Sequence, residues 1–545
     1  MIHATDDHQR KLAPKPEANC TSASELPQSF DWPLANEAEQ FLRERIALFL
    51  DRNSFAHRLA DRMRAETGTD LFEWVDHLVL APGEEPALRE TGFVPNPQVE
   101  TPNGDTVYEC PRTTLPRVIL RPADSAHPRR AAGVRPFSGA ASFASSGVSG
   151  LSSMLRGSEA AAPEDGRTPA QSPSVAVSAS SAQRDKQYPS VLALRPESVA
   201  EFMACHNLPG EPEGEPCSRY RRILVAEENG TQLEAVERRA YTGFVPAPLM
   251  RGELANIVKA RELWRTRPRL FPTDAEGIRA AHQTLDRALG LVGPDLACQF
   301  FFEAERAYWQ SRNRAGRMQK HRQDQLGLGW GNHDHHTFRC SREHFVDLVQ
   351  VLLKLGFGKR ERYYAGAEAG WGAQISEQPV AGIVVFADVD LLPEETELDF
   401  STHKLPPAPR LGTVGLWVGL HGESLLEAGM HHLEARFDFD FLRAQFRESG
   451  VNTMSPFSDF QFLRQAFTEG ERWPVRRDRA ERLLADGLIT REQAEQFIRE
   501  GALGSHLENL QRHGGFKGFN QKSVSVVIAA TDPRKNHFRP LSAAA

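Results

Sequence analysis

The chain has 545 residues, of which 40% are hydrophobic and 25% are charged, an ordinary composition for a globular protein of two to four domains. Its formal net charge of −7 argues against a general nucleic-acid-binding protein, because no basic surplus is present to neutralise phosphates. No apolar run is long enough to span a membrane, the N-terminus lacks the apolar core of a secretory signal, and the six cysteines form no Cys-x-x-Cys pair. We therefore expect a cytoplasmic protein without nucleic-acid or membrane partners.

The N-terminal part reads as an α+β region with one interruption. Residues 1–30 are predicted to be a disordered tail, and residues 31–122 an α+β region. Apolar residues recur at helical spacing over 36–66, and residues 106–122 have the pattern of a strand pair. Residues 123–187 are rich in Ser, Ala, Gly and Pro and cannot bury enough apolar surface to offset their ordering entropy, which predicts a disordered insertion.

Order resumes with residues 188–250, which continue the N-terminal region as strand, helix and hairpin, with Asn229-Gly230 as the turn. Residues 251–325 have a helical pattern and are predicted to form a connector. Residues 326–540 then read as strand, helix and three strands before a similar cycle begins again near residue 430. The pattern predicts βαβββ modules, and we expect them to form a half-barrel around a metal, with residues 326–540 as the catalytic domain.

A short pattern, His-x-x-x-Arg, occurs in the first strand of both cycles, as His335…Arg339 and His432…Arg436. Side chains four residues apart on a strand share a face, so each copy is predicted to point a histidine and an arginine into one cavity. The two side chains would lie roughly 13 Å apart along the strand. We therefore expect Arg339 to hold a carboxylate at the far end of a bound acid rather than to bind the metal.

Imidazole binds Fe, Zn, Cu or Ni, and two histidines with one carboxylate leave coordination positions open for substrate and oxygen. Three glutamates are candidates for the carboxylate: Glu508 near the C-terminus, Glu377 in a predicted strand, and Glu434, which shares a strand face with His432. Residue patterns alone leave these three open. They also leave open that Glu508 is a solvent-facing helix residue.

Four segments of the last third, in this order, resemble the 2-oxoadipate dioxygenase/decarboxylase family, also called hydroxyglutarate synthases. Residues 332–339 (NHDHHTFR) resemble the family's first-ligand strand, and residues 432–436 (HLEAR) its second. Residues 462–468 (FLRQAFT) are similar to a segment that lines the family's site, and residues 507–519 (LENLQRHGGFKGF) to the stretch with its third ligand. The resemblance covers roughly residues 320–535.

The resemblance implies a vicinal-oxygen-chelate-like fold and an Fe(II) site with His335, His432 and Glu508 as ligands. It further implies that Arg339 holds the oxoacid, that Gln465 contacts it, and that O2 converts 2-oxoadipate to 2-hydroxyglutarate and CO2. Two alternatives remain: a Zn- or Mn-dependent lyase or isomerase of the same fold, and a non-catalytic, metal-stabilised binding protein. An inward arginine beside two metal-type histidines favours an enzyme, because it is costly to bury without a ligand.

Overall fold

The computed structural model describes residues 32–102, 104–121, 188–367 and 369–520. The predicted tail and the predicted insertion both lie outside the described residues. The described residues contain helices and two mixed β-sheets, which agrees with the predicted α+β class but does not test the half-barrel. No helix of the described ranges is both long and apolar enough to cross a membrane.

The first half of the described chain builds a seven-stranded sheet with the order β2-β3-β4-β1-β5-β7-β6. Its helices are α1 (Asn36–Leu50), α2 (Ser54–Arg62), α3 (Glu85–Glu90) and α4 (Val199–His206), and its strands are β1 (Val75–Leu80), β2 (Val94–Pro95), β3 (Thr106–Glu109), β4 (Arg117–Leu120), β5 (Val191–Leu194), β6 (Tyr220–Glu228) and β7 (Thr231–Arg238). The helix predicted over 36–66 is interrupted, because Asn53 begins α2 as its N-cap. The predicted hairpin is confirmed: Asn229 and Gly230 both adopt positive φ between β6 and β7.

The chain between the last strand of the first sheet and the first strand of the second contains three helices, α5 (Glu253–Arg265), α6 (Asp274–Ser311) and α7 (Arg314–Asp324). The long α6 breaks at Gly293, whose φ of 73° lies in the left-handed region. Pro294 follows directly and cannot donate a hydrogen bond to the preceding turn. Beyond the break, Phe300, Phe301 and Phe302 are buried in the core of the second half.

The second half builds a nine-stranded sheet with the order β13-β14-β16-β12-β8-β11-β10-β9, and β15 pairs with β16 off this path. Its strands are β8 (His333–Arg339), β9 (Gly358–Tyr364), β10 (Trp371–Gln378), β11 (Ile383–Asp390), β12 (His432–Arg436), β13 (Ser458–Phe460), β14 (Leu463–Phe467), β15 (Glu471–Trp473) and β16 (Ala502–Arg512). Its helices are α8 (Phe345–Lys354), α9 (Thr413–His421), α10 (Phe439–Glu448), α11 (Arg477–Ala485) and α12 (Arg491–Glu500).

The order strand, helix and three strands predicted for the first cycle is present as β8-α8-β9-β10-β11. The second cycle begins in the same way with β12-α10 and carries two further helices before β16. Apolar residues of α8 recur at helical spacing and are buried with β11 in one core. The two histidine-bearing strands, β8 and β12, lie side by side in the middle of the sheet. The half-barrel shape itself stays a prediction.

Candidate metal centre

Three adjacent central strands carry the candidate ligands. β12 pairs antiparallel with β8 and parallel with β16, and this register sets Glu434 opposite His335 on one side and Glu508 on the other. His432 precedes Glu434 by two residues and therefore shares its face. The register therefore aligns His335, Glu434 and Glu508 in one row across the three strands, and His432 lies in the neighbouring row; these are the two ligand rows. His335 and Glu508 are more than 170 positions apart in the sequence.

All five predicted site residues line one cavity of about 60 Å³. The cavity wall is otherwise rich in aromatic rings, from Tyr363, Trp371, Phe386, Phe457, Phe467 and Phe519. A water molecule needs about 10–15 Å³ of such space, so the cavity admits only a few water-sized groups. A larger ligand requires neighbouring side chains to move.

Glu434 lies at the middle of the ligand cluster. Its Oε1 is 2.7 Å from Nε2 of His432 and 3.4 Å from Nε2 of His335. Among the described residues, His335, Glu434 and Glu508 each offer one ligand atom, and these three atoms all lie within 4.8 Å of one another. His432 is not a member of that set, although its ring contacts Glu434. The geometry therefore adds Glu434 to the predicted ligands.

Glu377, the other candidate carboxylate, lies elsewhere. It belongs to β10 and forms an ion pair of 2.6 Å with Lys517. It does not line the cavity described above. Glu508, by contrast, lies on a buried strand rather than on a solvent-facing helix, and only 2% of it is exposed. The structure therefore excludes Glu377 from the ligand cluster and keeps Glu434 and Glu508.

His335 is held in one orientation by the residue before it. Oδ1 of Asp334 is 2.9 Å from Nδ1 of His335, so the Nδ1–H group donates a hydrogen bond to the Asp334 carboxylate. This leaves Nε2 of His335, the nitrogen nearest Glu434, with a free lone pair. Asp334 is itself fixed by two hydrogen bonds of 2.9 Å from Arg512. A carboxylate that orients a histidine in this way is a common feature of metal sites.

The electrostatics of the cluster suit a cation. Burial lowers the pKa of His335 from 6.5 to about 4 and lowers the pKa of His432 well below its usual value, so both rings are neutral at pH 7. Burial also raises the pKa of Glu434 and of Glu508, and the negative charge of Glu508 raises that of Glu434 further. Neutral imidazoles, together with carboxyl groups that would lose their protons to solvent when a divalent ion binds, are the donor set such an ion requires.

Buried polar atoms also fit a ligand in this place. Oε2 of Glu434 and Nδ1 of His432 are buried and have no hydrogen-bond partner in the described part of the chain. Nε2 of His506, one strand further along the same row as His432, is in the same state. Since buried polar groups are normally satisfied, the cluster accommodates an ion or a polar ligand better than it accommodates empty space.

Arg339 and Asp388 lie opposite each other on β8 and β11, beyond the ligand rows. Arg339 is 2% exposed and lines the cavity. Burial raises the pKa of Asp388 from 3.8 to about 7, and the positive charge of Arg339 opposes this increase. Gln465 donates a hydrogen bond of 2.7 Å to Oε1 of Glu508 and so orients a candidate ligand.

The second arginine of the repeat does not reach the cavity, and the prediction that both copies point an arginine into it is wrong for Arg436. The pairing of β12 with β8 shifts register between Glu434 and Ala435, whereas the pairing of β12 with β16 continues regularly to Arg436. Arg436 instead lies 3.5 Å from Glu73 of the N-terminal half. Its Nε is 3.8 Å from Asp334.

Sequence reasoning missed three contributors to the centre. Asp334 had a local signal, since a carboxylate directly before a candidate ligand histidine can hold its ring. His506 and the aromatic wall had none, because their approach depends on pairing between distant strands.

No model of a known protein family matches the chain, and no curated protein matches its sequence. Some solved structures are similar in part. Hydroxyglutarate synthase from Oryza sativa, in complex with 2-oxoadipate, has 13% identity and a TM-score of 0.29, over 49% of this chain and 96% of that one. A triple mutant of 4-hydroxymandelate synthase from Streptomyces coelicolor has 12% identity and a TM-score of 0.23, over 85% and 99%.

Methylmalonyl-CoA epimerase from Mycobacterium tuberculosis has 12% identity and a TM-score of 0.19, over 33% of this chain and 88% of that one. At such scores these similarities carry no argument about the fold or the activity. The functional conclusion therefore depends on the geometry of the cavity.

Proposed function

We propose that the chain is a non-haem Fe(II) enzyme that uses O2 to decarboxylate and oxidise a 2-oxo dicarboxylic acid. One observation carries the proposal: neutral His335 and His432 and the carboxyl of Glu508 line the same buried cavity as Arg339. Two histidines and one carboxylate with open positions are characteristic of Fe(II) oxygenases. A buried guanidinium in the same cavity supplies a partner for an acid.

Each residue has a separate task in this proposal. His335, His432 and Glu508 would hold Fe(II), which supplies a Lewis acid and a site at which the 2-oxo acid and O2 meet. Arg339 would bind the distal carboxylate through its planar pair of N–H groups. Gln465 keeps Glu508 in place through its hydrogen bond. The aromatic wall excludes bulk water, which strengthens the charge–charge contacts inside.

Substrate size follows from the cavity. With only about 60 Å³ available, side chains at its wall must move to admit a six-carbon acid. We choose 2-oxoadipate as the first substrate to test, because the four sequence segments resemble the 2-oxoadipate dioxygenase/decarboxylase family. Its two carboxylates match the proposed division between a metal end and an arginine end.

The test is O2 consumption and CO2 release by the purified full-length chain, loaded anaerobically with Fe(II) and supplied with C5 and C6 2-oxo acids. We expect O2 uptake to depend on both metal and acid. The variant His335→Ala should lose Fe(II) binding, whereas Glu377→Gln, which removes a carboxylate outside the cavity, should keep it. Full Fe(II) binding by His335→Ala would contradict the ligand assignment, and absence of O2 uptake with every acid would contradict the reaction.

Arg339 is tested by the variant Arg339→Lys, which keeps the positive charge and loses the planar pair of donors. We expect KM for the acid to rise by about tenfold or more, since a charge-assisted hydrogen bond contributes about 1.5–3 kcal/mol. Fe(II) affinity should stay unchanged, because Arg339 lies beyond the ligand rows. An unchanged KM would remove Arg339 from the substrate site.

One observation favours a second candidate, a Zn- or Mn-dependent isomerase or lyase. Glu434 lies within reach of both histidines, and a fourth protein ligand would leave two open positions on an octahedral ion. A chelating 2-oxo acid and O2 together need three positions, whereas an isomerase needs no O2. Metal titration of Glu434→Gln beside Glu508→Gln separates the candidates.

If Glu508 alone binds the metal, Glu508→Gln weakens metal affinity by more than about tenfold and Glu434→Gln has a smaller effect. If both variants weaken it equally and the protein acts on its substrate without O2, the isomerase or lyase is favoured. If neither variant changes metal affinity, both candidates are contradicted.

A further inference from the structure

A second cavity, of about 480 Å³, lies apart from the candidate metal centre and is lined by residues of both sheets. Its wall is mostly polar and includes five arginines, Arg117, Arg195, Arg238, Arg436 and Arg512. The volume is in the range of sites that bind small molecules. It is several times larger than the cavity of the metal centre.

Three of these arginines have carboxylate partners. Arg238 forms hydrogen bonds of 2.6 and 2.8 Å with Asp76, and Arg512 is fixed by Asp334 as described above. Arg436 lies 3.5 Å from Glu73. Each of these three arginines therefore has a carboxylate oxygen within 3.5 Å.

Arg117 and Arg195 are different. Among the described residues, neither has a carboxylate oxygen within 4.0 Å. Arg117 donates one hydrogen bond of 2.6 Å to the carbonyl oxygen of Thr242 and packs on Phe244. Glu109 also lines the cavity but forms no ion pair with any arginine of the described part of the chain.

The Arg195 side chain extends from the end of β5 in the first sheet towards the second sheet. Its Nη1 would lie 3.8 Å from a Cβ placed at Gly382, next to the start of β11. The guanidinium makes no hydrogen bond to any described residue, although it carries five N–H donors. It is half-buried, so water satisfies those donors only in part.

Other arginines act on the two guanidinium groups. Burial, together with the positive charges of Arg238 and Arg195, lowers the pKa of Arg117 to about 10. Burial also lowers the pKa of Arg195, Asp76 opposes this, and Arg238 and Arg436 add to it. Two partly buried cations that face one cavity, neither paired with a carboxylate of the described residues, are costly unless an anion accompanies them.

We propose that this second cavity is a binding site for a small anionic metabolite, whose carboxylate or phosphoryl oxygens are held by Arg117 and Arg195. Planar guanidinium groups bind both kinds of oxyanion through paired N–H donors. Polar side chains of the wall, among them Asn96, Gln98 and Tyr241, supply further donors for the rest of the ligand. The site does not depend on the proposed reaction.

The test is titration calorimetry of the purified full-length chain with sodium sulfate, which represents a phosphoryl group, and in a second arm with sodium succinate. Ionic strength is kept constant with chloride. We expect saturable binding of one of the two anions with a Kd of about 1 mM or tighter. Binding of sulfate identifies a phosphoryl-type ligand, and binding of succinate alone identifies a carboxylate. Absence of saturable binding in both arms would overturn the proposal.

Variants locate the binding. Arg195→Met should weaken it by about tenfold or more, because it removes a charge-assisted donor pair. Arg265→Met, which removes an exposed arginine of α5, should leave it unchanged. Equal binding by both variants would place the anion elsewhere and overturn the proposal. His335→Ala should bind the anion as the parent does, which separates this site from the metal centre.

If Arg195→Met does not fold, Arg195→Lys replaces it. Lysine keeps the charge and loses the paired donors, so binding should weaken without being lost. Unchanged binding by Arg195→Lys and by Arg117→Lys would show that neither guanidinium holds the anion.

Discussion

Asp388 is a buried carboxyl group that should make the metal-free protein less stable as the pH rises. It is 3% exposed, and its Oδ1 has no hydrogen-bond partner in the described part of the chain. Burial raises its pKa from 3.8 to about 7, against the opposing charge of Arg339. The folded state therefore keeps a proton that the unfolded chain releases above about pH 4. Stability from this group is complete below that pH and is lost as the pH rises to about 7.

The difference of about three pKa units corresponds to about 4 kcal/mol, at 1.36 kcal/mol per unit. Asparagine has nearly the same shape and does not titrate. We therefore expect the unfolding free energy of Asp388→Asn, minus that of the parent, to increase by about 4 kcal/mol between pH 4 and pH 8. Other titrating groups cancel in this difference.

The measurement is urea unfolding of both proteins at several pH values in the presence of a chelator, so that metal binding does not contribute. Asp51→Asn, which removes an exposed carboxylate after α1, is the control and should change stability by less than about 0.5 kcal/mol at every pH. A difference between parent and Asp388→Asn that stays constant from pH 4 to pH 8 would refute the reasoning, because it would mean that Asp388 ionises normally in the folded protein.

Two further pairs of variants test the packing by thermal or urea unfolding. Gly327→Ala should cost about 2–5 kcal/mol, because its φ of +67° is unfavourable for alanine and its new Cβ would meet the backbone of Phe202 at 2.4 Å. Gly104→Ala has a similar φ of +69°, but its new Cβ would meet no described atom within 4 Å, so it should cost only about 1 kcal/mol. Equal costs would contradict the steric argument. Glu305→Gln should cost about 3–5 kcal/mol, because Glu305 is fully buried between two arginines that precede α6. Glu303→Gln, which removes a partly exposed ion pair with Arg261, should cost less than about 1 kcal/mol. A similar loss of stability in Glu305→Gln and Glu303→Gln would show that burial of the charges is not what matters.

Local patterns in the sequence predicted the two strands that carry the candidate histidine ligands. His335 and Arg339 face one cavity because alternation along a strand is a property of the backbone, independent of what lies beside it. The hairpin at Asn229-Gly230 was predictable for the same reason, since these residues tolerate the positive φ of the turn. Residues 123–187 have a composition that indicates disorder, a prediction about residues that the structure does not describe.

The choice among the glutamates was not local. Glu377, Glu434 and Glu508 all lie on strands, and nothing in their own segments says which strand is central and which neighbours it pairs with. The parallel pairing of β12 with β16 brings Glu434 and Glu508 together, while Glu377 lies on β10, three strands from β12. The contacts of Arg436 with Glu73 and Asp334, outside the cavity, were likewise not visible in its own segment.

The sequence by itself predicted which residues have the chemistry to bind a metal and an acid, and it placed both histidines on strands, because residue chemistry and strand periodicity are encoded within a few neighbouring positions. Only the tertiary structure decided that Glu434 joins His335 and Glu508, that Asp334 orients His335, and that a second cavity collects arginines from both sheets. These features depend on pairing and packing between segments far apart in the chain. Hydrogen-bond register and burial fix them, and neither is visible in a local window of residues.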